Sequence, residues 1–540
     1  MSSQQLKTSV EKAPHVEPAL EAATQTPTLA VPTKTPDRLS KVSLEPPPTD
    51  ERRTSRSSRT KVPTGLGIEP LNVVILGASF GGLSCAHHFL DYTIEHLRKT
   101  SNSAPNYRLV MVSPSTHIYC KLRAWESLAK PCTDYGTGNI GAPRALVAPD
   151  FIKHEDAFIP IEPGFHRHRG HQFTIIQGEC VSMNTETREV TVELIGSEAQ
   201  ERMIIINKRK SQATTPASEG SVSNSKIQQI PYHALIMGTG SSADSELLSL
   251  HGPHFNTIGA LNTFHAKVAQ AKSIVVVGGG CSGVETAGQM ATFLNHKPLF
   301  MRKTKVQKQI ILITGGDRCL PALKPKVGEK AEKFLRRLGV QIKHNVRVTG
   351  VKESFDLTGQ TKIELDNDTS IIADLYMPCT GVSPYSGYAP AEIKDEKGYI
   401  ATNGATMRVD VAGPRVYSVG DVASYSQNYV LDVYAAVPVL MHNLLNDLIA
   451  HELRLASPYG GNQDKIDGLE DEVYVQRHVD SQLCPISRYG GVGILMDMSI
   501  PAPMVHLLKG HDYRVCKAAM VVVNGGNPYA IKTALRNKYE

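Results

Sequence analysis

The sequence predicts an α/β protein with two Rossmann-like domains, and three observations support this fold class. Apolar, strand-like runs alternate with amphipathic segments along most of the chain, which is the pattern of doubly wound parallel sheets. Two of these runs, about 200 residues apart, lead into a glycine-rich turn and then a helical segment. The 540 residues exceed what a single hydrophobic core usually accommodates, so two or three domains are expected.

The first glycine-rich turn lies in the stretch VVILGASFGGLSCAHHF, residues 73–89. In the pattern G-x-G-x-x-G, Gly77 permits the sharp turn from strand to helix, and Gly82 lets the helix pack closely on the strand. The middle position is Ser79, whose hydroxyl can donate to a phosphate oxygen at the helix N-terminus. Taken alone, this turn fits either a nucleotide site or an ordinary glycine-rich turn in an α/β core.

The second turn, in SIVVVGGGCSGVETAGQM at residues 273–290, contains the complete pattern with Gly278, Gly280 and Gly283. The strand-like run KQIILIT follows about 30 residues later, as a βαβ unit requires. This turn therefore predicts a dinucleotide site. Two nucleotide sites in one chain suggest that electrons pass between two bound cofactors.

Three further strand ends carry residues that suit a bound ligand. HALIMGTGS and DLYMPCTGVSP are apolar runs that each end in a Thr-Gly pair, with Gly240 and Gly381, where the chain must leave the sheet tightly. RVYSVGDVAS places Gly420 and Asp421 directly after a strand, and this carboxylate can accept a hydrogen bond from a ribityl hydroxyl. Each motif alone is common in proteins. Their order along the chain, together with the two glycine-rich turns, is specific enough to indicate a class of protein.

Together, these motifs resemble those of the two-dinucleotide-binding flavoprotein oxidoreductases. The absence of a C-x-x-C dithiol argues against the disulfide reductases of that class. The stretches NIGAPRALV (139–147), VPVLMHNLLNDL (437–448) and CPISRYGGVGILM (484–496) are similar to fungal members of the apoptosis-inducing-factor-homologous, mitochondrion-associated family, also called ferroptosis suppressor-like. The resemblance covers roughly residues 70–520.

The resemblance implies FAD on the first domain, NADH or NADPH on a second domain inserted in the first, and a quinone-type acceptor. The predicted organisation is a disordered tail, a first part of the FAD-binding domain, the NAD(P)H-binding domain, a second part of the FAD-binding domain and a small C-terminal region, over residues 1–66, 67–265, 266–390, 391–455 and 456–540 respectively.

The resemblance also implies which residues hold the cofactors. Gly77, Ser79 and Gly82 would hold the FAD pyrophosphate. Gly420 and Asp421 would close over the ribityl chain. A helix that starts near Pro438 is predicted to point its N-terminus at the flavin. Arg144 would pair with a phosphate or the flavin edge, with a structural ion pair as the alternative. The complete predicted set is Gly77, Ser79, Gly82, Ser113, Arg144, Gly240, Gly278, Gly280, Gly283, Gly381, Gly420, Asp421 and Val437.

Both domains depart from the usual pattern at the strand end where an acid holds the adenosine ribose. The strand YRLVMV ends at Ser113, which can bond one ribose hydroxyl but cannot grip two. The run ILITGGDRCLP of the second domain offers Thr314, Asp317 and Arg318. An acid there favours NADH, whereas an arginine can hold the additional phosphate of NADPH, so the sequence leaves both donors open.

Glu285, one turn into the second predicted helix, is the predicted catalytic residue. It would orient the nicotinamide or assist protonation of a quinone. The alternative is a carboxylate that the helix dipole stabilises, by about 0.3–1 kcal/mol. No metal site is predicted, because the histidines, among them His87 and His168, lack a consistent ligand spacing.

An unusual segment follows the first domain's second strand. In the resembling family, a His-x-Tyr segment runs almost directly into an Asn-x-x-Ala-Pro-Arg segment, whereas here about 19 residues, 120–138, intervene. They are either a surface loop or lid over the site, or a retained intron, because possible codons at both ends contain splice signals. A dominant transcript that contains the segment would exclude the intron.

Composition bounds the partners and the compartment. The net charge of +6 is spread along the chain and argues against a nucleic-acid partner. Nine scattered cysteines fit a reducing compartment. No stretch approaches the roughly 20 apolar residues of a spanning helix, and the N-terminus lacks a signal-peptide core, so neither a transmembrane helix nor secretion is expected. A cytoplasmic or mitochondrion-associated protein, peripheral to a membrane, is predicted.

The apolar segment 500–523 has three interpretations: it docks on a membrane and admits a lipophilic quinone, it covers the sheet, or it forms a homodimer contact. Two rival functions also stay open. One is a flavin oxidoreductase of a secondary-metabolite pathway, with a soluble aromatic quinone as acceptor. The other is a cell-death effector that binds DNA, which would require a basic stripe.

Overall fold

A computed structural model describes residues 70–100, 107–119, 146–147, 154–168, 173–195, 203–205, 226–295, 307–353, 359–476, 478, 481–487, 489–510 and 520–527. The predicted tail of residues 1–66, the segment 120–138 and Arg144 lie outside the described residues.

The strands are numbered in chain order. They span Leu71–Leu76 (β1), Tyr107–Ser113 (β2), His117–Tyr119 (β3), Phe158–Pro160 (β4), Phe173–Asn184 (β5), Glu189–Leu194 (β6), Met203–Ile205 (β7), Ile227–Pro231 (β8), Ala234–Met237 (β9), Ser241–Ala243 (β10), Ser273–Val277 (β11), Gln309–Ile313 (β12), Gln341–Lys343 (β13), Val348–Glu353 (β14), Thr361–Leu365 (β15), Ser370–Ala373 (β16), Leu375–Pro378 (β17), Val382–Pro384 (β18), Val416–Ser418 (β19), Gln482–Ser487 (β20), Gly490–Leu495 (β21) and Met498–Ser499 (β22).

The helices are numbered in the same way. The α-helices span Phe80–His88 (α1), Ile94–Thr100 (α2), His154–Ala157 (α3), His254–Gln270 (α4), Cys281–Leu294 (α5), Pro325–Arg337 (α6), Val430–Ala456 (α7), Gln463–Asp467 (α8) and Ala502–Val505 (α9). Single π-helical turns span Phe89–Thr93 and His506–Gly510, and 3₁₀ turns span Glu162–His168, Ala391–Ile393 and Asp410–Ala412.

The first sheet has a parallel part in the order β19-β9-β1-β2-β5, and β5 continues into an antiparallel ribbon with β6 and β8. Alternate residues of β1 face two different cores, as the two-residue period of a strand requires. Val73 and Ile75 pack in the cluster that contains helices α1 and α7, while Val74 and Leu76 pack in the cluster that contains the ribbon. The continuous apolar run of β1 is therefore explained by burial on both faces.

The second sheet is parallel, in the order β13-β12-β11-β17. Ile274 and Val276 of β11 pack against helices α4, α5 and α6, while Val275 and Val277 face the antiparallel strands β14, β15 and β16. All strands of this sheet lie in the chain between β9 and β19 of the first sheet. The α/β fold class with two Rossmann-like units, the second inserted in the first, is confirmed. The exact domain boundaries stay a prediction.

The two connections between the sheets run side by side. The chain leaves the first sheet through β10 and returns through β18, and these strands pair in antiparallel register with Ser242 opposite Ser383. This pairing holds the ends of β9 and β17, with their Thr-Gly pairs, close together.

The C-terminal region packs on the second sheet's helix α5 through the antiparallel strands β20, β21 and β22. The contact is close, since a Cβ at Gly288 would lie 2.2 Å from the carbonyl oxygen of Ile486. In the segment 500–523, the described residues Val505, Leu508, Val522 and Val523 are buried. This part of the segment covers the protein's own core, which is one of the three interpretations that the sequence left open.

Helix α7 begins at Val430, eight residues before the start near Pro438 that the sequence predicts, and the proline lies inside the helix. A proline in a helix interior costs about 3 kcal/mol, but here it is offset by burial of the apolar face, with Leu440, Met441 and Leu444 fully buried. Among the described residues, α7 is also the helix that is long and apolar enough to span a membrane, yet 67% of that apolar stretch is buried inside the protein. It is the core helix of the first sheet.

Candidate active site

The first glycine-rich turn leaves β1 at Gly77, whose φ of +98° favours glycine. Its N–H donates to the carbonyl oxygen of Val112 at 2.8 Å. A Cβ there would lie 2.3 Å from the oxygen of Gly238, and a Cβ at Gly82 would lie 1.9 Å from the oxygen of Gly77. Only glycine fits both positions, for the two steric reasons that the sequence indicated.

A cavity of about 260 Å³ opens at this turn. Ser79 precedes the first residue of α1, makes no capping hydrogen bond with its side chain, and lines the cavity. Ser113 lines it as well, but its hydroxyl donates to the oxygen of Ser115 at 2.8 Å, which leaves it only as an acceptor. Glu179 of β5, which the sequence gave no reason to select, is an acidic residue that lines the same cavity, and the hydroxyl of Tyr385 donates to it.

The second glycine-rich turn repeats the geometry of the first. Gly278 has a φ of +124°, and its N–H donates to the oxygen of Ile313 at 2.8 Å. A Cβ at Gly278 would lie 2.2 Å from the oxygen of Cys379, and a Cβ at Gly283 would lie 1.9 Å from the oxygen of Gly278. The repeated contacts show that both turns fold for the same local steric reason.

A larger cavity, of about 1020 Å³, opens at the second turn. Gly280 precedes α5 and lines this cavity, and a Cβ built there meets no atom within 4 Å. Gly240 and Gly381, after β9 and β17, are likewise open and have φ values of +74° and +128°. At these three positions the open space lies where a ligand can approach the backbone.

The two cavities share a wall that contains Ser241 and Asp421. Asp421 accepts hydrogen bonds from the hydroxyls of Ser241, at 3.3 Å, and Ser426, at 3.4 Å. Burial raises the pKa of the Asp421 carboxyl, and the two hydroxyls lower it in part. Molecules bound in the two cavities would therefore meet beside Asp421.

Glu285 of α5 lines the larger cavity and is buried. The ammonium group of Lys509 donates to its Oε1 at 2.8 Å and to the carbonyl oxygen of Leu483 at 3.0 Å. Burial lowers the pKa of Lys509, but the charge and the hydrogen bond of Glu285 outweigh it, so that the pKa is raised. The ion pair holds the Glu285 side chain at the wall of the cavity.

The residues that the sequence offered at the end of β12 do not line the larger cavity. Thr314 is buried, and Asp317 and Arg318 do not line the larger cavity. Arg347 does, and its side chain lies over Gly315, where a Cβ would be 3.1 Å from its Cγ and 3.4 Å from its Nε. The sequence signal was the missing side chain at Gly315, which leaves room for a distant arginine.

The structure brings most of the predicted site residues together. Gly82, Gly283 and Gly420 line neither cavity, and the first two shape the turns from behind. Val437 is buried and lines neither cavity, because α7 starts at Val430 and this residue lies two turns inside it. The residues at the cavity walls are Gly77, Ser79, Ser113, Gly240, Gly278, Gly280, Glu285, Gly381 and Asp421.

Among the described residues, His87, Asp91 and His168 form a group that could hold a metal ion by distance alone. The guanidinium of Arg167 contacts Nδ1 of His87 at 3.0 Å and Oδ2 of Asp91 at 2.8 Å, so it takes the place of the cation. Nε2 of His87 lies 2.8 Å from the oxygen of Val523. The group holds the C-terminal segment against α1.

Two adjoining cavities, each at a glycine-rich turn, are the arrangement of an α/β protein that binds two dinucleotides. Residues 71–439 match the pyridine nucleotide-disulphide oxidoreductase family, and the chain belongs to this family. Members bind FAD and NAD(P)H, which confirms the predicted cofactors at the level of the family. The described cysteines Cys85, Cys180, Cys281, Cys319, Cys379 and Cys484 are free thiols.

Two relatives and one solved structure illustrate the similarity. The oxidoreductase phnG of Penicillium herquei is 30% identical over 449 residues, which cover 82% of this chain and 93% of that protein. Ferroptosis suppressor protein 1 of Xenopus tropicalis is 26% identical over 405 residues, 72% of this chain and 84% of its own. The structure of NDH2 from Plasmodium falciparum in complex with NADH has a TM-score of 0.49 at 11% identity, with 80% and 92% covered.

Proposed function

We propose that this protein is an FAD-dependent NAD(P)H oxidoreductase with a quinone-type acceptor. The observation that carries the proposal is the pair of glycine-rich turns with matching geometry, whose cavities share the wall at Ser241 and Asp421. When bound, FAD supplies the two-electron chemistry that takes a hydride from NAD(P)H and delivers electrons to the acceptor.

The residues of both sites fit such cofactors. Free backbone N–H groups at the N-termini of α1 and α5 suit the two pyrophosphates. Ser79 adds a hydroxyl at the first turn, and Gly280 leaves the backbone open at the second. We assign FAD to the first turn, with Glu179 and Ser113 on its adenosine ribose and Asp421 near its ribityl chain, and NAD(P)H to the second.

Glu285 and Lys509 have the geometry of a positioning and proton-holding pair. The carboxylate faces the larger cavity, and Lys509 fixes it from behind. Glu285 can accept a hydrogen bond from the carboxamide of the nicotinamide, and its carboxylate can pass a proton from the Lys509 ammonium to the reduced acceptor, after which a proton from solvent restores Lys509. The proposal therefore includes both predicted roles of Glu285, which are to orient the nicotinamide and to assist protonation of a quinone.

The acceptor is proposed to be lipophilic. Exposed apolar side chains gather in the C-terminal region, where Met498 and Leu507 are 66% and 70% exposed. Lys324 and Lys330 lie beside Met498, within hydrogen-bond distance of its neighbours Asp497 and Ser499. An apolar surface with adjacent lysines suits the face of an anionic membrane, in which a quinone dissolves.

The first test is the absorbance spectrum of the purified protein, before and after NADH or NADPH is added without oxygen. We expect a flavin band that bleaches with the donor and returns with a quinone. Return with a short-chain ubiquinone would support the lipophilic acceptor, and return only with water-soluble aromatic quinones would favour a biosynthetic role. A colourless protein that FAD does not restore would refute the proposal.

Arg347 is expected to make NADPH the preferred donor, because it lies over Gly315 at the strand end where an NADH-specific site would carry an acid. In the variant Arg347→Gln, loss of a charge-assisted contact of about 1.5–3 kcal/mol should lower kcat/KM for NADPH by about 10- to 100-fold. The value for NADH should change little. Arg318→Gln is the control, since its guanidinium donates to the oxygen of Pro321 away from the cavity. An equal loss for both donors would contradict the assignment.

A further inference from the structure

A cluster of arginine and histidine side chains lies at the opposite edge of the first sheet from the glycine-rich turns. Arg188 is in the turn between β5 and β6, His233 precedes β9, and Arg415 precedes β19. His451, near the C-terminus of α7, completes the cluster, with its ring centroid 4.6 Å from that of His233. Strand β9 separates this cluster from Gly240, so it is not part of either proposed cofactor site.

Two guanidinium groups converge on one atom in this cluster. Arg188 donates to the carbonyl oxygen of His233 at 2.7 Å, and Arg415 donates to the same oxygen at 3.0 Å. Both arginines have left-handed backbone conformations, with φ values of 57° and 61°, which are strained for a residue with a Cβ. The fold thus holds two like charges together at a conformational cost, and such strain is concentrated at functional sites.

The positive charge of this cluster is only partly compensated among the described residues, because the charge of Asp447 acts on Arg415 and Arg188 lies 4.8 Å from the centroid of the Tyr232 ring. Arg188, Arg415 and the nearby Arg454 form no ion pair among the described residues. The nearest acids have other partners, since Asp447 binds Arg408 at 2.9 Å and Glu452 accepts from the hydroxyl of Tyr107 at 2.8 Å.

Burial and like charges act together on the cluster. The pKa of His233 is lowered to about 3, first by burial and then by the charges of Arg415, His451 and Arg188. The pKa of Arg415 is lowered by burial and by Arg188. The buried Nε2 of His233 has no hydrogen-bond partner among the described residues. An anion would relieve the repulsion and satisfy this nitrogen.

We propose that Arg188, His233, Arg415 and His451 form a binding site for a phosphate group. Converging guanidinium groups match the several acceptor oxygens of a phosphate, which they can bind in bidentate fashion. The group belongs either to a small phosphorylated molecule or to a phospholipid headgroup, and the same residues would bind both. A headgroup at this site would add a second contact with a membrane.

The test is calorimetric titration of the full chain with inorganic phosphate, after saturation with FAD and NADP⁺ so that the proposed cofactor sites do not compete. Vesicles of phosphatidic acid in phosphatidylcholine, against phosphatidylcholine alone, form the second arm. We expect saturable binding in one arm that weakens at least about 10-fold in Arg188→Gln. Flavin content and NADPH oxidation should stay unchanged.

A second variant keeps the test informative if Arg188→Gln does not fold. Arg454 is exposed and its charge acts on both Arg415 and His451, so Arg454→Gln should fold normally and still weaken binding. Arg98→Gln, from an exposed pair with Glu95, is the matched control and should bind like the wild type. Free phosphate bound in the first arm identifies a soluble ligand, and binding in the vesicle arm alone identifies the headgroup. No saturable binding in either arm, or equal binding by all variants, would overturn the proposal.

Discussion

The variant Gly280→Ala is expected to lose reduction by NADPH while it keeps its fold and its flavin. The added Cβ meets no protein atom within 4 Å, so the turn itself is not disturbed. It enters the cavity at the N-terminus of α5, where the backbone must approach the pyrophosphate. If two charge-assisted hydrogen bonds of about 1.5–3 kcal/mol each are lost, kcat/KM falls by about 100-fold or more.

Gly283→Ala should lose the same activity for a different reason. Its Cβ would lie 1.9 Å from the oxygen of Gly278, so α5 must move off its strand. We therefore expect a lower Tm for Gly283→Ala and an unchanged Tm for Gly280→Ala. Gly259→Ala, at an open and exposed position of α4, is the control and should be equally active and slightly more stable, by about 0.5–1 kcal/mol.

Equal Tm losses in the Gly280 and Gly283 variants would show that the second turn is structural and does not contact a nucleotide. Full activity of Gly280→Ala would show that the donor binds elsewhere. Both readouts, thermal unfolding and bleaching of the flavin band, use the intact protein.

The fold and the two turns could be predicted because their causes are local in the sequence. Gly77 and Gly278 each turn the chain sharply where it leaves a strand. The glycine pattern that marks each turn lies within six residues of the sequence. The order of the motifs along the chain then placed the second domain within the first. The pairing of β10 with β18 lies between the two cavities. The order of the motifs implies that these two connections are close together, but no sequence motif marks the pairing itself.

The residues that the sequence missed act across long separations. Lys509 reaches Glu285 over 224 positions, and it lies in a segment whose apolar composition indicated only a surface or a cover. Arg347 became visible only once the connection between β13 and β14 was placed beside Gly315. The start of α7 was wrong because a proline near a helix start is a strong local signal, and burial of the whole apolar face outweighed it here.

The second large effect is expected for Lys509→Met. The methionine fills the space, but Glu285 keeps a buried carboxylate without its cation, which costs about 3–5 kcal/mol of unfolding free energy. We expect a clear fall in Tm and slower bleaching of the flavin band. Glu285→Gln should cost less, because its amide can stay bonded to the lysine.

The double variant Glu285→Gln with Lys509→Met separates the ion pair from the packing. It has neither charge, so it should unfold at a higher temperature than Lys509→Met alone. If the double variant is the less stable of the two, the lysine acts through its aliphatic chain and not through the pair.

The pH dependence gives an independent check of the same pair. The pKa of Lys509 is raised above its ordinary value of 10.5 in the folded protein, so protonation favours folding. The stability difference between wild type and Lys509→Met should therefore be complete at pH 7 to 9. It should shrink as the pH rises through and beyond the ordinary lysine pKa, where the folded lysine also loses its proton. A difference that is constant over this range would show that the charge of Lys509 contributes nothing.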